Sequence, residues 1–265
     1  MSVTPRTSPA ARSSRTKDGR GRLGSVLSGL AVAVGCVLFL GGFVAGAVLY
    51  QPYTVPSDSM TPTLEVGSKV LAERVDGADV RRGDIVVFQD PLWGNVPMVK
   101  RVVGVGGDTL ACCGTDGRLT LDGKPVDETY LRAGKTPSAE KFTVTVPEGS
   151  LFLLGDERHN SLDSRAHLQD ASHGFVPRSS VLGRVDAVAW PAPGVVERPA
   201  GFAALPGGIS TPGPVVPLFT AIVAGCVLIL AGAAYGPVAR RIGGGRKPAP
   251  PKTKAGAGER DAVSA

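Results

Sequence analysis

The residues most suited to chemistry lie in two short segments. One is VPSDSMTPTL, residues 55–64, which holds two serines one residue apart. The other is VKRVVG, residues 99–104, in which Lys100 and Arg101 interrupt a β-branched run. A serine hydroxyl is a poor nucleophile until a base removes its proton, and a lysine amine can be that base only where burial lowers its pKa. The segments therefore supply a candidate nucleophile, Ser59, and a candidate base, Lys100.

The two adjacent cations allow two interpretations. Successive side chains of a β-strand point to opposite faces, so Lys100 and Arg101 must diverge. In an edge strand both would be solvated. In the functional interpretation, Lys100 is buried against Ser59 and Arg101 is exposed. A free lysine has a pKa of about 10.4, and burial can lower it by about 3–5 units, which suffices for a base near neutral pH.

The serine segment also has two interpretations. Ser57–Ser59 and Thr61–Thr63 have the composition of ordinary turns. Met60 favours a functional role because it is an apolar residue inside a polar turn, as expected of a residue that lines a substrate pocket. Ser59 follows Tyr50 by nine residues, which span at most about 30 Å when extended.

A third segment, GDERHNSLDSR at residues 155–165, follows the apolar residues 151–154. So many polar side chains next to a buried strand need either solvent or hydrogen-bond partners. The segment is therefore a solvated loop, or it is a network that backs an active site. In the second case Ser161 would orient the lysine and Asp163 would pair with Arg165.

Other chemistries are less well supported. His159 and Asp163 could form a Ser-His-Asp triad with a serine, but Lys100 would then have no role. The histidines at 159, 167 and 173 match no ligand spacing, so we expect no metal. The sequence has neither a phosphate-binding loop nor a dinucleotide fingerprint, so we expect no cofactor.

The net charge of +6 comes from the ends of the chain. Residues 1–22 hold six Lys or Arg and one acid, and residues 237–265 hold seven against two acids. The intervening residues carry slightly more acids than bases. A folded part that is mildly acidic argues against a nucleic-acid partner, and the basic ends suit anionic lipid.

Two long uncharged stretches flank the middle of the chain. Residues 26–50 and 215–235 are apolar and long enough to cross a bilayer as helices. The first could be a cleavable signal peptide, but its apolar part is longer than the roughly 7–15 residues typical of one. Because both basic ends flank the stretches on their outer sides, we expect the ends in the cytoplasm and the middle outside.

These patterns predict a domain organisation in six parts. We expect a cytoplasmic basic tail, a transmembrane helix, an extracytoplasmic catalytic β domain, a Pro/Gly-rich linker, a second transmembrane helix and a basic, disordered cytoplasmic tail. The predicted bounds are 1–22, 23–50, 51–200, 201–213, 214–236 and 237–265, respectively. Gly42-x-x-x-Gly46 and Gly232-x-x-x-Gly236 could let the two helices pack closely.

The middle of the chain is predicted to be mainly β, with several small antiparallel sheets. Short runs rich in Val, Leu, Ile and Phe are separated by turn residues, and Asp122-Gly123 is a strong hairpin signal. The predicted strands are 69–75, 84–89, 98–105, 118–121, 124–126, 142–146, 150–154 and 181–189.

Four cysteines fall into two groups. Cys36 and Cys226 lie in the predicted spans and have the character of small apolar residues. Cys112 and Cys113 are adjacent in a domain whose compartment permits disulfides. A bond between neighbours forms a strained ring, so two thiols or an intermolecular bond compete with it.

Four segments resemble, in order, the conserved boxes of bacterial type I signal peptidases, a Ser-Lys serine protease family. Together they extend over about residues 55–188, which is far more specific than any single motif. The matching segments are Pro56–Leu64, Arg82–Phe88, Val99–Asp108 and Gly155–Arg165. The resemblance implies a membrane-anchored endopeptidase that removes signal peptides from exported preproteins after small residues.

The resemblance also implies roles for residues. Ser59 would attack the scissile carbonyl and Lys100 would be the general base. The Ser57 hydroxyl and the Ser59 backbone N–H would form the oxyanion hole, in which loss of one donor costs about 3–4 kcal/mol of the barrier. Ser161 would hold the lysine amine.

The remaining supporting residues by this resemblance are Asp156, Asp163 and Arg165. Glu157 stands where the family often has Asn, and a second span is not general in the family. The partners implied are signal peptides and the lipid bilayer, with the chain in a bacterial cell membrane.

Two other function classes stay open from the sequence. A membrane-tethered β domain that binds a partner would require the serine and the lysine to be unrelated. A soluble Ser-Lys self-cleaving repressor would not need two spans. Contact between the Lys100 amine and the Ser59 hydroxyl discriminates between an enzyme and a binding domain.

Overall fold

The computed structural model of the chain describes residues 19–134 and 136–243. Two long helices, α1 and α2, enclose a β-rich region in sequence. The helices are α1 (Gly19–Leu49) and α2 (Val215–Gly243), and the strands are β1 (Tyr50–Thr54), β2 (Lys69–Glu73), β3 (Ile85–Phe88), β4 (Met98–Val105), β5 (Thr109–Cys112), β6 (Thr120–Leu121), β7 (Lys124–Pro125), β8 (Phe142–Thr145), β9 (Ser150–Leu154), β10 (Phe175–Pro177), β11 (Val181–Trp190) and β12 (Gly194–Val195).

The chain divides into two compact units. One consists of the helical residues 19–39 and 223–243, and the other runs from Leu40 to Ile222. The N-terminal residues 1–18 and the tail predicted to be disordered, from residue 244 onward, lie outside the described residues.

Among the described residues the larger sheet has the order β1-β2-β11-β3-β4-β9-β10, with β12 paired to β11. The neighbouring strands are antiparallel. Strands β3 and β4 are central, and alternate β3 side chains enter two different apolar clusters: Ile85 and Val87 one, Val86 and Phe88 the other. Both faces of the sheet are therefore covered at its centre.

A second sheet has the order β7-β6-β5-β8. Its apolar side chains, including Leu110, Leu121 and Phe142, pack with Val103 of β4 and Phe152 of β9 in one cluster. The fold class is the predicted one: mainly β, with antiparallel sheets and two apolar helices. The predicted hairpin is confirmed, since Asp122 and Gly123 have φ angles of 51° and 76° and join β6 to β7.

The pattern of apolar runs located most central strands. The predicted bounds of 98–105 and 150–154 coincide with β4 and β9. Strands β1, β5, β10 and β12 were not predicted, because they are short or begin beside proline and turn residues. Cys112 and Cys113 form a disulfide with each other, and Cys36 and Cys226 are free.

Residues 198–213, which we name the strap, lead from the β region towards α2. The sequence predicts a linker for most of this stretch, yet Phe202 is fully buried and Leu205 and Ser210 are each 9% exposed. The strap is therefore packed against the domain.

Both helices contain a stretch that is long and apolar enough to cross a membrane, Gly24–Leu49 and Val215–Tyr235. Small residues allow close approach of their backbones. A Cβ on Gly225 would lie 2.6 Å from the Phe39 backbone nitrogen, and a Cβ on Gly35 would lie 2.8 Å from the Gly225 carbonyl oxygen.

The predicted glycine motifs are correct only in part. Gly42 and Gly232 face close neighbours, Ile222 and Val32, but Gly46 has no neighbouring atom within 4 Å of a Cβ placed there. The side-chain surroundings of residue 236 lie outside the described part of the helix.

We expect Gly225→Ala to destabilise the helix pair, because its new methyl group meets backbone atoms that cannot rotate away. Overpacking of this kind costs about 1–3 kcal/mol. Thermal unfolding in detergent measures the effect. Gly29→Ala is the matched control, since nothing lies within 4 Å of a Cβ there. Equal midpoints for the two variants would contradict close packing at Gly225.

Candidate active site

Ser59 and Lys100 are brought together by a short 3-10 turn and a central strand. Ser59 lies in the turn Asp58–Met60, and Lys100 lies in β4. The Lys100 Nζ atom is 2.8 Å from Ser59 Oγ. The two side chains belong to residues that are 4% and 7% exposed, respectively. A buried hydroxyl and a buried amine in hydrogen-bond contact can exchange a proton with little competition from water.

The environment of Lys100 favours the neutral amine. Burial lowers the pKa of Lys100, and the nearby carboxylates of Asp163 and Asp156 oppose this by raising it. The net direction is down from the ordinary value, because the loss of hydration is the larger effect. A lysine with a lowered pKa is the form that can accept a proton from serine.

The turn that carries Ser59 is fixed from both sides. The Val55 N–H donates to the Ser68 carbonyl at 2.9 Å, and the Glu157 N–H donates to the Ser59 carbonyl at 3.0 Å. Ser57 is exposed, and its Oγ donates to Ser59 Oγ at 3.2 Å. The Ser57 hydroxyl therefore lies where it can rotate towards a group bound at Ser59.

The third polar segment closes the site from the end of β9. The Asp163 carboxylate is fully buried, receives the Gly155 N–H at 3.1 Å and pairs with Arg165 at 2.7 Å. The expected pairing is thus present. Ser161 differs from expectation: its Oγ is buried and has no hydrogen-bond partner among the described residues, so it does not bond to Lys100 here.

Arg101 corrects one expectation. The functional interpretation placed this residue in solvent, but it is 1% exposed. The reason is the position of β4 between β3 and β9, where both faces of the sheet are covered. Its guanidinium pairs with both oxygens of Asp156, at 2.8 and 2.7 Å, and lies 4.0 Å from the centre of the Tyr130 ring.

Asp156 links the strand to the serine turn. Besides Arg101, it accepts a hydrogen bond from the Thr63 hydroxyl, four residues after Ser59. Arg101 Nη2 also donates to Thr63 Oγ1 at 3.3 Å. A single carboxylate therefore neutralises the second cation of β4 and anchors the segment that carries the candidate nucleophile.

A second buried ion pair escaped the sequence analysis. Arg158 pairs with Glu128, and Arg158 Nη2 also donates to the Tyr130 hydroxyl at 3.2 Å. Glu128 and Tyr130 belong to an irregular segment without a strand pattern, so nothing in their spacing points to the site. Tyr130 lies between the two arginines and contacts both.

Met60 was predicted to line a substrate pocket, and this is wrong. Its side chain is fully buried and packs with apolar residues that include Val55, Leu64, Ile85 and Val99. An apolar residue in a polar turn was the signal, and its actual role is to anchor the turn in the core.

The rival triad is not assembled. His159 is exposed and its Nε2 is 3.3 Å from the Thr136 hydroxyl, while Asp163 bonds to Arg165 and Gly155. Within residues 19–134 and 136–243, no cluster of three or more His, Cys, Asp or Glu side chains could hold a metal ion.

The family model described as signal peptidase, peptidase S26 matches residues 26–190. This chain belongs to that family. It is therefore a serine peptidase. A signal peptidase I from Leptolyngbya laminosa is 33% identical, with 72% of this chain and 91% of that protein covered. A probable signal peptidase I from Mycobacterium leprae (strain TN) is 32% identical, with 60% and 73% covered, respectively.

A crystal structure of a signal peptidase I from Enterococcus faecalis V583 also matches this S26 peptidase. It has 31% sequence identity and a TM-score of 0.32, and covers 39% of this chain and 94% of that chain. A TM-score this low adds nothing to the description of the fold.

We expect Asp156→Asn to destabilise the peptidase strongly, because it leaves the Arg101 cation buried without a counter-charge. Breaking such a pair from one side costs about 3–5 kcal/mol. Chemical denaturation followed by fluorescence measures the change. The control is Asp116→Asn, which removes a solvent-exposed partner of Arg118 and should leave stability unchanged. Equal effects of both substitutions would contradict the proposed importance of the buried pair.

The lowered pKa of Lys100 predicts a pH-dependent stability. The unfolded chain keeps the ordinary lysine value of 10.5, so it binds the proton more tightly than the folded chain. Stability therefore rises with pH from the folded pKa towards 10.5, by about 1.4 kcal/mol per unit of difference.

Denaturation curves of wild type and Lys100→Met over this pH range measure the rise. We expect the stability of wild type relative to the variant to increase with pH. Lys124→Met, which replaces an exposed lysine, is the control. The difference in stability between wild type and this variant should stay constant over the same pH range. Parallel pH curves for wild type and Lys100→Met would show that the buried amine titrates at its ordinary value.

Proposed function

We propose that this serine peptidase is a membrane-anchored signal peptidase I that cleaves N-terminal signal peptides from exported preproteins, with Ser59 as nucleophile and Lys100 as general base. The observation that carries the proposal is the 2.8 Å contact between Lys100 Nζ and Ser59 Oγ in a buried site. Both residues lie within the stretch matched by the S26 family model. A partner-binding domain would not need a buried lysine against a serine.

The proposed reaction follows from the protonation state of the lysine. The neutral Lys100 amine accepts the Ser59 proton as Oγ attacks the scissile carbonyl, and the resulting ammonium protonates the departing amine. Water then hydrolyses the acyl-enzyme with the same amine as base. Activity should fall as pH drops through the pKa of Lys100, because the protonated amine cannot accept the serine proton.

The oxyanion of the tetrahedral intermediate needs donors close to Ser59. We assign this role to the Ser59 backbone N–H and the Ser57 hydroxyl, which is 3.2 Å from Ser59 Oγ. Asp163 and Arg165 brace the loop at the end of β9. In this proposal Ser161 and Asp156 support the site, the first beside the serine turn and the second through Arg101 and Thr63.

The position of the site suits a substrate that emerges from a bilayer. Strand β1 begins at Tyr50, directly after α1 ends at Leu49, and Ser59 follows within nine residues. In the proposed topology both apolar helices span a bacterial cell membrane, and the domain of residues 51–200 lies on the extracytoplasmic side. Lipid and signal peptides are the proposed partners. By resemblance to the family, small residues are expected one and three positions before the cut.

Cleavage of a purified preprotein by the detergent-solubilised full chain tests this function. We expect wild type to release a product whose new N-terminus follows a small-x-small triplet. Ser59→Ala and Lys100→Met should each abolish cleavage, because one lacks the nucleophile and the other lacks the base.

The matched control is His159→Ala, which removes the rival base and should retain wild-type activity. Thermal unfolding of each variant establishes that loss of activity is not loss of folding. Cleavage that survives in Lys100→Met would overturn the assignment of the base. A folded wild type that cleaves no preprotein would contradict the proposed function.

A further inference from the structure

The strap contributes two apolar side chains to the core cluster that joins the two sheets. Phe202 belongs to the cluster that includes Val103 of β4 and Leu154 of β9, and Leu205 packs in the same cluster. Since Val103, Arg101 and Lys100 all belong to β4, the strap shares an apolar cluster with the strand that carries the candidate base. A segment that merely joins a domain to a helix would not need two buried apolar anchors.

Three polar contacts of the strap reach one turn, residues 82–84, which we name the Gly83 turn, while others bind Asp186 of β11. Arg82 Nη1 donates to the Pro206 carbonyl, and the Ser210 hydroxyl donates to the buried carboxylate of Asp84. The Arg198 guanidinium lies 3.1 Å from the same carboxylate. Strap residues before and after Phe202 therefore bind Arg82 and Asp84, the first and last residues of the turn.

The centre of the turn is pressed against the strap. Gly83 has a φ of +85°, and a Cβ at this position would lie 3.0 Å from Pro199 Cδ and 3.1 Å from Phe202 Cδ2. Glycine is required both by the backbone conformation and by the lack of space. The Phe202 ring thus fixes how closely the Gly83 turn can approach the rest of the domain.

The Gly83 turn contacts the strap and also binds Arg101. The Gly83 carbonyl accepts a hydrogen bond from Arg101 Nη1 at 2.8 Å. The Gly83 N–H donates to the Val102 carbonyl, and the Val102 N–H donates to the Asp84 carbonyl, each at 2.8 Å. The Gly83 turn therefore holds the backbone of β4 at Val102, two residues after Lys100, and the side chain of Arg101.

We propose that the strap is a positioning element for the Ser59–Lys100 pair, in which Phe202 and Ser210 hold the Gly83 turn and the turn holds Arg101 beside Lys100. This role rests on the proposed function, because it concerns the geometry of that reaction. Displacement of a reacting group by about 1 Å can cost a hundredfold in rate. In this proposal the strap acts through the Gly83 turn and β4.

The first test compares Phe202→Ala with Phe142→Ala in the full chain in detergent. Both remove a buried ring from the same apolar cluster, but Phe142 lies in β8 of the second sheet and is not among the neighbours of a Cβ placed at Gly83. We expect Phe202→Ala to lower kcat about tenfold or more with KM nearly unchanged. Phe142→Ala should lower the unfolding midpoint and leave kcat of the folded enzyme near wild type.

A second readout does not depend on proteolysis. Titration of the Lys100 amine by NMR on ¹³C-lysine protein, assigned with Lys100→Met, reports whether water reaches the amine. We expect Phe202→Ala to raise the Lys100 midpoint by about half a pH unit or more, since lost burial restores the charged form. The Asp163 and Asp156 charges near the amine are the same in both proteins. Phe142→Ala should leave the midpoint unchanged.

Ser210 gives a gentler probe if Phe202→Ala does not fold. Ser210→Ala removes the hydroxyl that donates to Asp84 and accepts from Arg198 Nε, whereas Ser210→Thr keeps a hydroxyl. We expect the alanine variant to lower kcat and raise the Lys100 midpoint, and the threonine variant to restore both.

The outcomes separate the two proposals. A wild type that cleaves while Phe202→Ala and Ser210→Ala keep its kcat and Lys100 midpoint would overturn the role of the strap and leave the proposed function intact. A wild type without cleavage would overturn the proposed function. In that case the Lys100 midpoints of the variants still decide whether the strap sets the position of the amine.

Discussion

Two positive charges on adjacent residues of an internal strand impose the main constraint on this fold. Neither face of the sheet is open to solvent at Lys100 and Arg101, so each charge has to be neutralised or lost. Arg101 keeps its charge because both carboxylate oxygens of Asp156 accept hydrogen bonds from its guanidinium, one from Nε and one from Nη2. Among the described residues, no carboxylate is in hydrogen-bond contact with Lys100, and its partner is the Ser59 hydroxyl. The contrast between the neighbours is what makes one of them a candidate base.

The groups that bind the buried Arg101 guanidinium also hold several neighbouring segments in place. Asp156 accepts a hydrogen bond from Thr63, and the Tyr130 ring packs against the Arg101 guanidinium. The Gly83 carbonyl accepts a hydrogen bond from Arg101 Nη1. These contacts draw in the serine segment, the irregular segment after β7 and the turn before β3. A network built to bury one charge thereby fixes the positions of the segments around the candidate nucleophile. Stability and chemistry depend on the same interactions.

Local patterns in the sequence were enough to predict the central strands and the Asp122-Gly123 hairpin. They left the pairing of Ser59 with Lys100 as one of two interpretations, and the resemblance to signal peptidases favoured it. The patterns misjudged Arg101 and Met60, because the burial of both side chains depends on segments distant in the chain. The strap shows the same limit: its Pro- and Gly-rich composition is that of a linker, and only tertiary contacts reveal Phe202 as an anchor. Glu128 and Tyr130 carried no local signal, since their partners are about thirty residues away in the sequence.

The alternation of side chains along β4 has a consequence for how this protein could change through insertions and deletions. The pairing of Val86 with Lys100 and of Ile85 with Arg101 decides which cation faces the serine. A slip by one residue between β3 and β4 would exchange them, and arginine cannot give up its proton to become a base. Residues 89–97 form the loop between these strands, so changes in this loop can affect the register of β4. An insertion or deletion there that shifted the register of β4 by one residue would place the permanent cation of Arg101 against Ser59.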